Sequence, residues 1–277
     1  MMRSGAADLH VHTTHSDGAC SPGEVVQAAA NLGLAALAIT DHDTISALPV
    51  ARPEAIRLGI ELVGGVELTA EHDGRELHVL GYFVDETIVE MAETCSAIRA
   101  RRDERVRGMV DRLATLGLRV DLEAIRRAYP RATIGRRHLA DWLARSGQVS
   151  DRRRAFADYL GDDGPAQVPK PRLPIAEAIA LIGRSGGVAA LAHPPYDLRE
   201  RTLEAFVAVG LGAIEVDGPG VPKSRRPRLR GWAERFNLVP TAGSDFHAND
   251  RPGRWLGSIT TPADDLERLR QKTVRGA

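Results

Sequence analysis

Cysteine, lysine and long apolar runs are all scarce in this chain of 277 residues. Its two cysteines, Cys20 and Cys95, are too few for a disulfide framework and do not stand in CxxC spacing. No run of 18 apolar residues occurs, which argues against a membrane-spanning helix, and the first ten residues contain no apolar signal segment. We therefore expect a cytoplasmic protein without a membrane partner.

Net charge is also missing, because 37 basic residues balance 37 acidic residues. A neutral chain lacks the broad cationic surface that attracts duplex DNA or anionic lipid, so neither partner is expected. All but three of the basic residues are arginine, and the three lysines are Lys170, Lys223 and Lys272. With 43% hydrophobic residues over this length, the chain can bury a sizeable core.

Strand-like and helix-like segments alternate over the first 84 residues. Ser21-Pro22-Gly23-Glu24 predicts a helix start, because serine caps the helix, proline suits its first turn and glutamate completes a capping box. Residues 34–40 form a continuous apolar run that is typical of a buried parallel strand. The alternation resumes at residue 175, and it favours an α/β barrel or a doubly wound sheet.

Helical patterns rich in arginine interrupt this alternation between residues 86 and 170. The segment has 17 basic and 13 acidic residues. We predict residues 1–85 as the first part of a barrel, 86–170 as a helical insertion or cap, and 171–277 as the second part of the barrel. A basic cap suits an anionic substrate, although a solvated helix face with paired charges is the better explanation for most of these arginines.

Six of the nine histidines stand in polar clusters at the ends of strand-like runs, where the strands of a barrel converge on one mouth. His10 and His12 alternate along a strand and therefore share a face. Nine residues are candidate metal ligands: His10, His12, Asp17, His42, Glu67, His78, His193, Asp245 and His247. Mixed histidine and carboxylate ligands suit Zn²⁺, Mn²⁺ or Fe²⁺. Nine are too many for one tetrahedral ion, so we predict two to three divalent transition-metal ions that share a carboxylate.

The motifs around these residues resemble those of a known family. HVHTTHSDG, TDHD, GVE, LHVLGY, LAHP and GSDFHA, in this order along the chain, resemble the polymerase and histidinol phosphatase (PHP) family of metal-dependent phosphoesterases. The chain looks most like bacterial members that act on nucleotides or short RNA, whose insertion ends in a segment similar to residues 165–170. The resemblance implies a distorted (β/α)7 barrel with a site for three metal ions.

The same resemblance implies a ligand set for each ion. One ion would be held by His10, His12, Glu67 and Asp245. Glu67 would bridge to a second ion, which His78 and His193 also bind. The third ion would be held by Asp17, His42 and His247.

For catalysis we expect in-line attack on phosphorus by a metal-bridging hydroxide, with Glu67 as the shared ligand. Arg136 and Lys170 are candidates to bind the phosphate oxygens, because the relatives place basic residues where the insertion returns to the barrel. His138 could bond the substrate or protonate the leaving oxygen, or it could simply pack on its helix. Asp41 is expected to orient a ligand histidine.

The predicted reaction is hydrolysis of a nucleotide phosphoester, either as a 3′-phosphatase on nucleoside 3′,5′-bisphosphates or as a 5′→3′ exonuclease on short RNA. The main alternative is a phosphomonoesterase for a small metabolite such as histidinol phosphate, which the arginine-rich insertion disfavours. A barrel that serves only as a binding or regulatory module would be missing some of the metal ligands, whereas all nine expected positions are filled in this chain. An amidohydrolase barrel would carry a lysine bridge, and no lysine precedes Lys170. The loop at Asp217–Gly220, expected to face the substrate, departs from the pattern of the relatives.

Overall fold

The computed structural model describes residues 4–130, 134–169, 173–248 and 253–274, so the predicted phosphate ligand Lys170 lies outside the described residues. The chain forms two compact units. The first comprises Met1–Cys95 with Arg172–Ala277, and the second comprises Ser96–Pro171. Among the helices of the described residues, none combines the length and the apolar character needed to cross a bilayer.

The first unit contains a mixed sheet that curves into a nearly closed barrel. Its strands are β1 (Ser4–Val11), β2 (Leu34–Ile39), β3 (Glu61–His72), β4 (Arg75–Tyr82), β5 (Leu173–Pro174), β6 (Val188–Leu191), β7 (Ala213–Asp217) and β8 (Val239–Ala242). They are ordered β1-β2-β3-β4-β6-β7-β8, and β5 pairs with β3. Bridges from Val11 to Phe246 and from Ala7 to Thr261 connect β1 to the chain that follows β8. The predicted distorted α/β barrel is confirmed.

One strand runs against the others. β4 is antiparallel to both β3 and β6, whereas β1, β2 and β3 are parallel. The cause is a tight turn at Asp73-Gly74, where φ is +49° and +75°. This dipeptide favours a two-residue hairpin turn, because both central residues need positive φ. The predicted alternation of strands and helices therefore breaks at residue 72, where a hairpin replaces a crossover helix.

Ten α-helices are described, and several flank the sheet. They are α1 (Pro22–Asn31), α2 (Leu48–Leu58), α3 (Val89–Thr115), α4 (Leu122–Ala128), α5 (Arg136–Arg145), α6 (Arg152–Ala155), α7 (Ile175–Arg184), α8 (Glu200–Ala208), α9 (Arg226–Arg235) and α10 (Ala263–Val274). The predicted capping box of α1 is present, since the Ser21 amide donates to Glu24 Oε2 over 2.7 Å. Val25 and Val26 of this helix are buried in the same apolar cluster as Leu37 of β2.

The second unit has an apolar core of its own, built around Met109, Leu113 and Leu139. All of α4, α5 and α6 and most of α3 belong to it, within the segment that the sequence predicts as helical. Some of its arginines form ion pairs one helical turn from their partners, such as Arg154 with Asp158 over 2.6 Å. These arginines therefore lie on a solvated helix face with paired charges, the explanation that the sequence favours for most of them.

Candidate metal centre

The carboxyl end of β1 and the residue after it place two histidines in the interior of the first unit. His10 and His12 are completely buried, and their ring centroids are 5.2 Å apart. Their Nε2 atoms lie 3.3 and 3.2 Å from Glu67 Oε2. The same two atoms lie 3.6 and 3.4 Å from Asp245 Oδ1. Two imidazoles and two carboxylates therefore converge on one small volume.

Glu67, in the middle of β3, is the carboxylate around which most of the histidines gather. It is 1% exposed. Oε2 lies 3.2–3.3 Å from ring nitrogens of three histidines, His10, His12 and His42. Oε1 lies 2.7 and 3.1 Å from ring nitrogens of His78 and His193. A carboxylate that presents each oxygen to a different set of imidazoles has the geometry of a bridge between two ions.

A further group of potential ligands lies beside the first. Ligand atoms of four residues come within 4.8 Å of one another: His12, Asp17, His42 and His247. His247 Nε2 is 3.3 Å from Asp17 Oδ1, and the rings of His12 and His247 stack with centroids 4.1 Å apart. The nine predicted side chains thus all gather in the first unit. His12 and His42 each belong to two groups, whereas the resemblance assigns each of them to one ion.

The chemistry of this cluster fits divalent metal ions. Both ring nitrogens of His12 and Nδ1 of His42 are buried, and although carboxylate oxygens lie 3.2–3.8 Å away, none of the three has a partner with hydrogen-bond geometry among the described residues. Buried polar atoms are normally satisfied, and coordination to a cation would satisfy one ring nitrogen of each of these two histidines.

The electrostatics of the cluster also call for positive charge. Burial opposes the charge of Glu67, but the imidazoles of His42, His78 and His10 outweigh it and hold the pKa of this carboxyl well below its usual range. Burial likewise opposes a charge on His12, yet contacts with Asp245 and Glu67 raise its pKa to about 10. The carboxylates thus draw protons onto His10, His12 and His78, whereas burial lowers the pKa of His42 to about 3. Metal ions would replace those protons.

The backbone at the cluster adopts conformations that L-residues rarely take. φ is +25° at His193 and +48° at Asp245. Gly243 meets a close approach of β1, because a Cβ at this position would lie 2.4 Å from His10 Cβ. Such strain is typical of functional sites, where the surrounding structure holds ligands in fixed positions.

Glu215, on β7, was not among the predicted site residues, yet it contacts two of them. It is 1% exposed. His10 Nδ1 donates to Glu215 Oε1 over 3.0 Å, and the backbone amide of His193 donates to Oε2 over 2.6 Å. A proton held on Nδ1 leaves the Nε2 lone pair of His10 free for a metal ion. Glu215 therefore orients one predicted ligand by its ring and a second by its backbone.

The role expected for Asp41 is wrong. Its carboxylate accepts hydrogen bonds from the Thr13 amide over 2.7 Å, from the Thr13 hydroxyl over 2.6 Å and from the Ser16 hydroxyl over 2.6 Å. It therefore holds the loop that follows β1, between His12 and Asp17, and does not orient an imidazole. Asp41 is next to the ligand candidate His42 in the sequence, but its carboxylate points to a different part of the fold.

Of the predicted substrate-binding residues, Arg136 and His138 lie in the second unit. Arg136 pairs with Asp162 over 2.6 Å, and His138 Nδ1 accepts from the Gly135 amide over 3.1 Å. Their part in binding phosphate stays a prediction, as does that of Lys170. In the first unit, Arg254 donates to Asp245 Oδ2. This contact was not predicted, since nothing in the sequence relates an arginine nine positions away to the ligand cluster.

Known proteins resemble this chain in sequence and in fold. Residues 8–132 match the model of the PHP domain family. A 5′-3′ exoribonuclease of Haemophilus influenzae is 35% identical, over 87% of this chain and 89% of that protein. A 3′,5′-nucleoside bisphosphate phosphatase of Chromobacterium violaceum is also 35% identical, over 90% of each chain. A crystal structure from Bifidobacterium adolescentis, described as a metal-dependent phosphoesterase, is 33% identical and superposes with a TM-score of 0.84 over 96% of both chains.

Proposed function

The chain belongs to the PHP domain family, and we propose on that basis that it is a metal-dependent phosphoesterase that hydrolyses phosphoesters of nucleotides or short RNA. The observation that carries the proposal is the position of Glu67, whose two oxygens lie 2.7–3.3 Å from ring nitrogens of five histidines. A structural histidine needs one such partner, whereas a catalytic centre with several ions needs a shared anionic ligand.

We propose that the centre holds two to three Mn²⁺, Fe²⁺ or Zn²⁺ ions. Glu67 would be shared between two of them, with His10, His12 and Asp245 on one side and His78 and His193 on the other. Asp17, His42 and His247 would hold the third ion, with His12 close enough to contribute. When bound, such ions supply Lewis acidity that activates water and screens the charge on the phosphoryl oxygens.

The protein's own residues set the conditions for that chemistry. Glu215 holds the proton on His10 Nδ1 and fixes the backbone of His193. Arg254 holds Asp245 by one carboxylate oxygen, which leaves the other oxygen directed at His10 and His12. Arg136 and Lys170 would bind phosphate oxygens through charge-assisted hydrogen bonds.

The substrate class is supported by two of the relatives that match most of the chain, one named as an exoribonuclease and one as a nucleoside bisphosphate phosphatase. Both names describe hydrolysis of a phosphoester on a nucleotide. The formal net charge of zero supports a short substrate over duplex DNA. A small-metabolite phosphomonoesterase such as histidinol phosphatase is the alternative.

A substrate panel tests the proposal. Metal-loaded protein is assayed with adenosine 3′,5′-bisphosphate, nucleoside monophosphates, a 5′-phosphorylated RNA pentamer, histidinol phosphate and a DNA duplex. We expect the bisphosphate or the pentamer to give the highest kcat/KM and the duplex to give none. If histidinol phosphate exceeded every nucleotide substrate by more than tenfold, the nucleotide assignment would be wrong while the metal chemistry stood.

A further inference from the structure

Tyr196 lies on the surface of the first unit, three residues after the predicted ligand His193, and it is 76% exposed. It sits at the corner of a turn that the Leu198 amide closes by donating to the Pro195 carbonyl over 3.0 Å. Leu198 is buried in the core beyond the turn, and Pro194 and Pro195 restrict the backbone before it. The ring is therefore exposed on a segment that is anchored at both ends.

A buried arginine donates hydrogen bonds to the backbone of this turn. Arg225 is 6% exposed, and its Nη1 donates to the carbonyls of Pro194 over 2.9 Å and Pro195 over 2.8 Å. Its guanidinium carbon lies over the Tyr196 ring, 5.2 Å from the centroid. Nη2 is buried without a hydrogen-bond partner among the described residues. Burying a guanidinium so incompletely paired is costly, which indicates that the position of the turn and its ring matters.

The arrangement leaves one face of the ring open, on a segment that follows the predicted ligand His193 closely in the chain. Arg225 covers one face, and the high exposure of Tyr196 puts the other in solvent. Three residues span at most about 11 Å of extended chain, so Tyr196 cannot lie far from His193, whose Nε2 is 3.1 Å from Glu67 Oε1. Single exposed aromatic residues normally need no explanation. Here a buried cation and two prolines hold one in place three residues from the predicted ligand His193.

We propose that Tyr196 is the platform on which the nucleobase of the substrate stacks, and that Arg225 is the residue that positions it. The proposal rests on the proposed function and names the contact that makes a nucleotide a better substrate than a simple phosphate ester. Every base has a π-face, so stacking is tolerant of base identity. The enzyme should therefore prefer substrates that carry a base without strongly distinguishing which base.

The test compares two substrates that differ only in the base, adenosine 3′,5′-bisphosphate and the base-free ribose 3,5-bisphosphate. For Tyr196→Ala we expect kcat/KM on the adenosine substrate to fall roughly 5- to 150-fold, the equivalent of about 1–3 kcal/mol of base stacking. On the base-free substrate it should stay within about twofold, since the ring touches only the base. Tyr196→Phe, which keeps the π-face, is the matched control and should resemble the wild type on both.

Arg225→Lys tests the positioning role. Lysine keeps the charge but loses the planar fork that holds both carbonyls, so the preference for the adenosine substrate should fall as it does in Tyr196→Ala. Combined with Tyr196→Ala, it should reduce that preference no further. A further reduction in the double variant would show that Arg225 does not act through the ring.

The outcomes distinguish a failure of the stacking proposal from a failure of the proposed function. If the wild type hydrolyses both bisphosphates but Tyr196→Ala lowers them equally, or lowers neither, the platform is wrong and the proposed function stands. A wild type that hydrolyses no nucleotide while cleaving other phosphoesters would contradict the proposed function, and the platform with it.

Discussion

Glu67 is the residue whose replacement has the clearest expected consequence. Glu67→Gln keeps the size of the side chain but removes the anion that would separate two cations. We expect turnover to fall by more than tenfold and at least one ion per chain to be lost, with the circular dichroism spectrum unchanged. Glu71→Gln, the same substitution at the end of the same strand, is the control. Retention of a tenth or more of wild-type turnover would show that Glu67 is not the bridge.

Glu215 is predicted to act on metal affinity through the ligands that it holds. Glu215→Gln can accept from His10 or from the His193 amide, but not from both with equal strength, because one oxygen becomes a donor. We expect metal affinity to fall about 10- to 100-fold, measured by competition with a chromogenic chelator. Glu234→Gln, on the exposed face of α9, should change nothing. Equal affinities in the two variants would remove Glu215 from the site.

Residues differ in how far sequence alone could identify them. The nine candidate ligands stand in polar clusters after apolar runs, and this local pattern is enough to group them. Glu215 is a single acidic residue inside an apolar strand, and its partner His10 is 205 positions away in the chain. Only the fold brings the two together, so no local pattern could predict the contact. Asp41 shows the opposite case. It is adjacent to His42 in the sequence, but its hydrogen bonds are to Thr13 and Ser16.

At the level of secondary structure, the packing of β1 against the end of β8 depends on Gly243. In Gly243→Ala the new methyl group would lie 2.4 Å from His10 Cβ and 2.6 Å from His10 N. One of the two segments must shift, and overpacking of this kind costs about 1–3 kcal/mol. We expect a lower melting temperature together with weaker metal binding.

Gly23→Ala is the control for that substitution. Gly23 is in the first turn of α1 with no atom within 4 Å of the added Cβ. Alanine there should leave stability unchanged or raise it by up to about 1 kcal/mol. If the two alanine variants had the same stability and metal affinity, the close approach at Gly243 would not matter.

The prediction on phosphate binding concerns Arg136, at the start of α5, and Lys170, which lies outside the described residues. Arg136→Ala and Lys170→Ala should each lower kcat/KM about ten- to a hundredfold, since a lost charge-assisted hydrogen bond costs about 1.5–3 kcal/mol. Arg137→Ala, a change to the neighbouring exposed arginine, is the control. Unchanged kcat/KM in both variants would show that this segment does not bind the phosphate.

Elements with strong local signals agree with the sequence analysis, whereas the direction of β4, which depends on strand pairing, does not. The capping box of α1 and the apolar run of β2 are both where they were predicted. The direction of β4 was not predicted, although Asp73-Gly74 is the signal for the hairpin. The alternation of strands and helices on either side favours a parallel sheet and outweighs this dipeptide in a prediction from sequence.

For the molecule as a whole, charge is segregated even though the formal net charge is zero. Segment 86–170 has an excess of four basic residues, and the acidic ligands gather in the first unit. Bulk attraction therefore contributes little to substrate capture. Selectivity must come from particular contacts: metal ions for the phosphate and, as inferred above, an aromatic ring for the base.

Metal titration of the chelator-treated protein tests the central claim most directly. Mn²⁺ is added stepwise to the metal-free chain while hydrolysis of adenosine 3′,5′-bisphosphate and the bound metal are measured on the same samples. We predict no activity without metal, and a rise that reaches its plateau at two to three ions per chain. Full activity in the metal-free protein, or a plateau at one ion, would contradict a centre in which Glu67 is shared between ions.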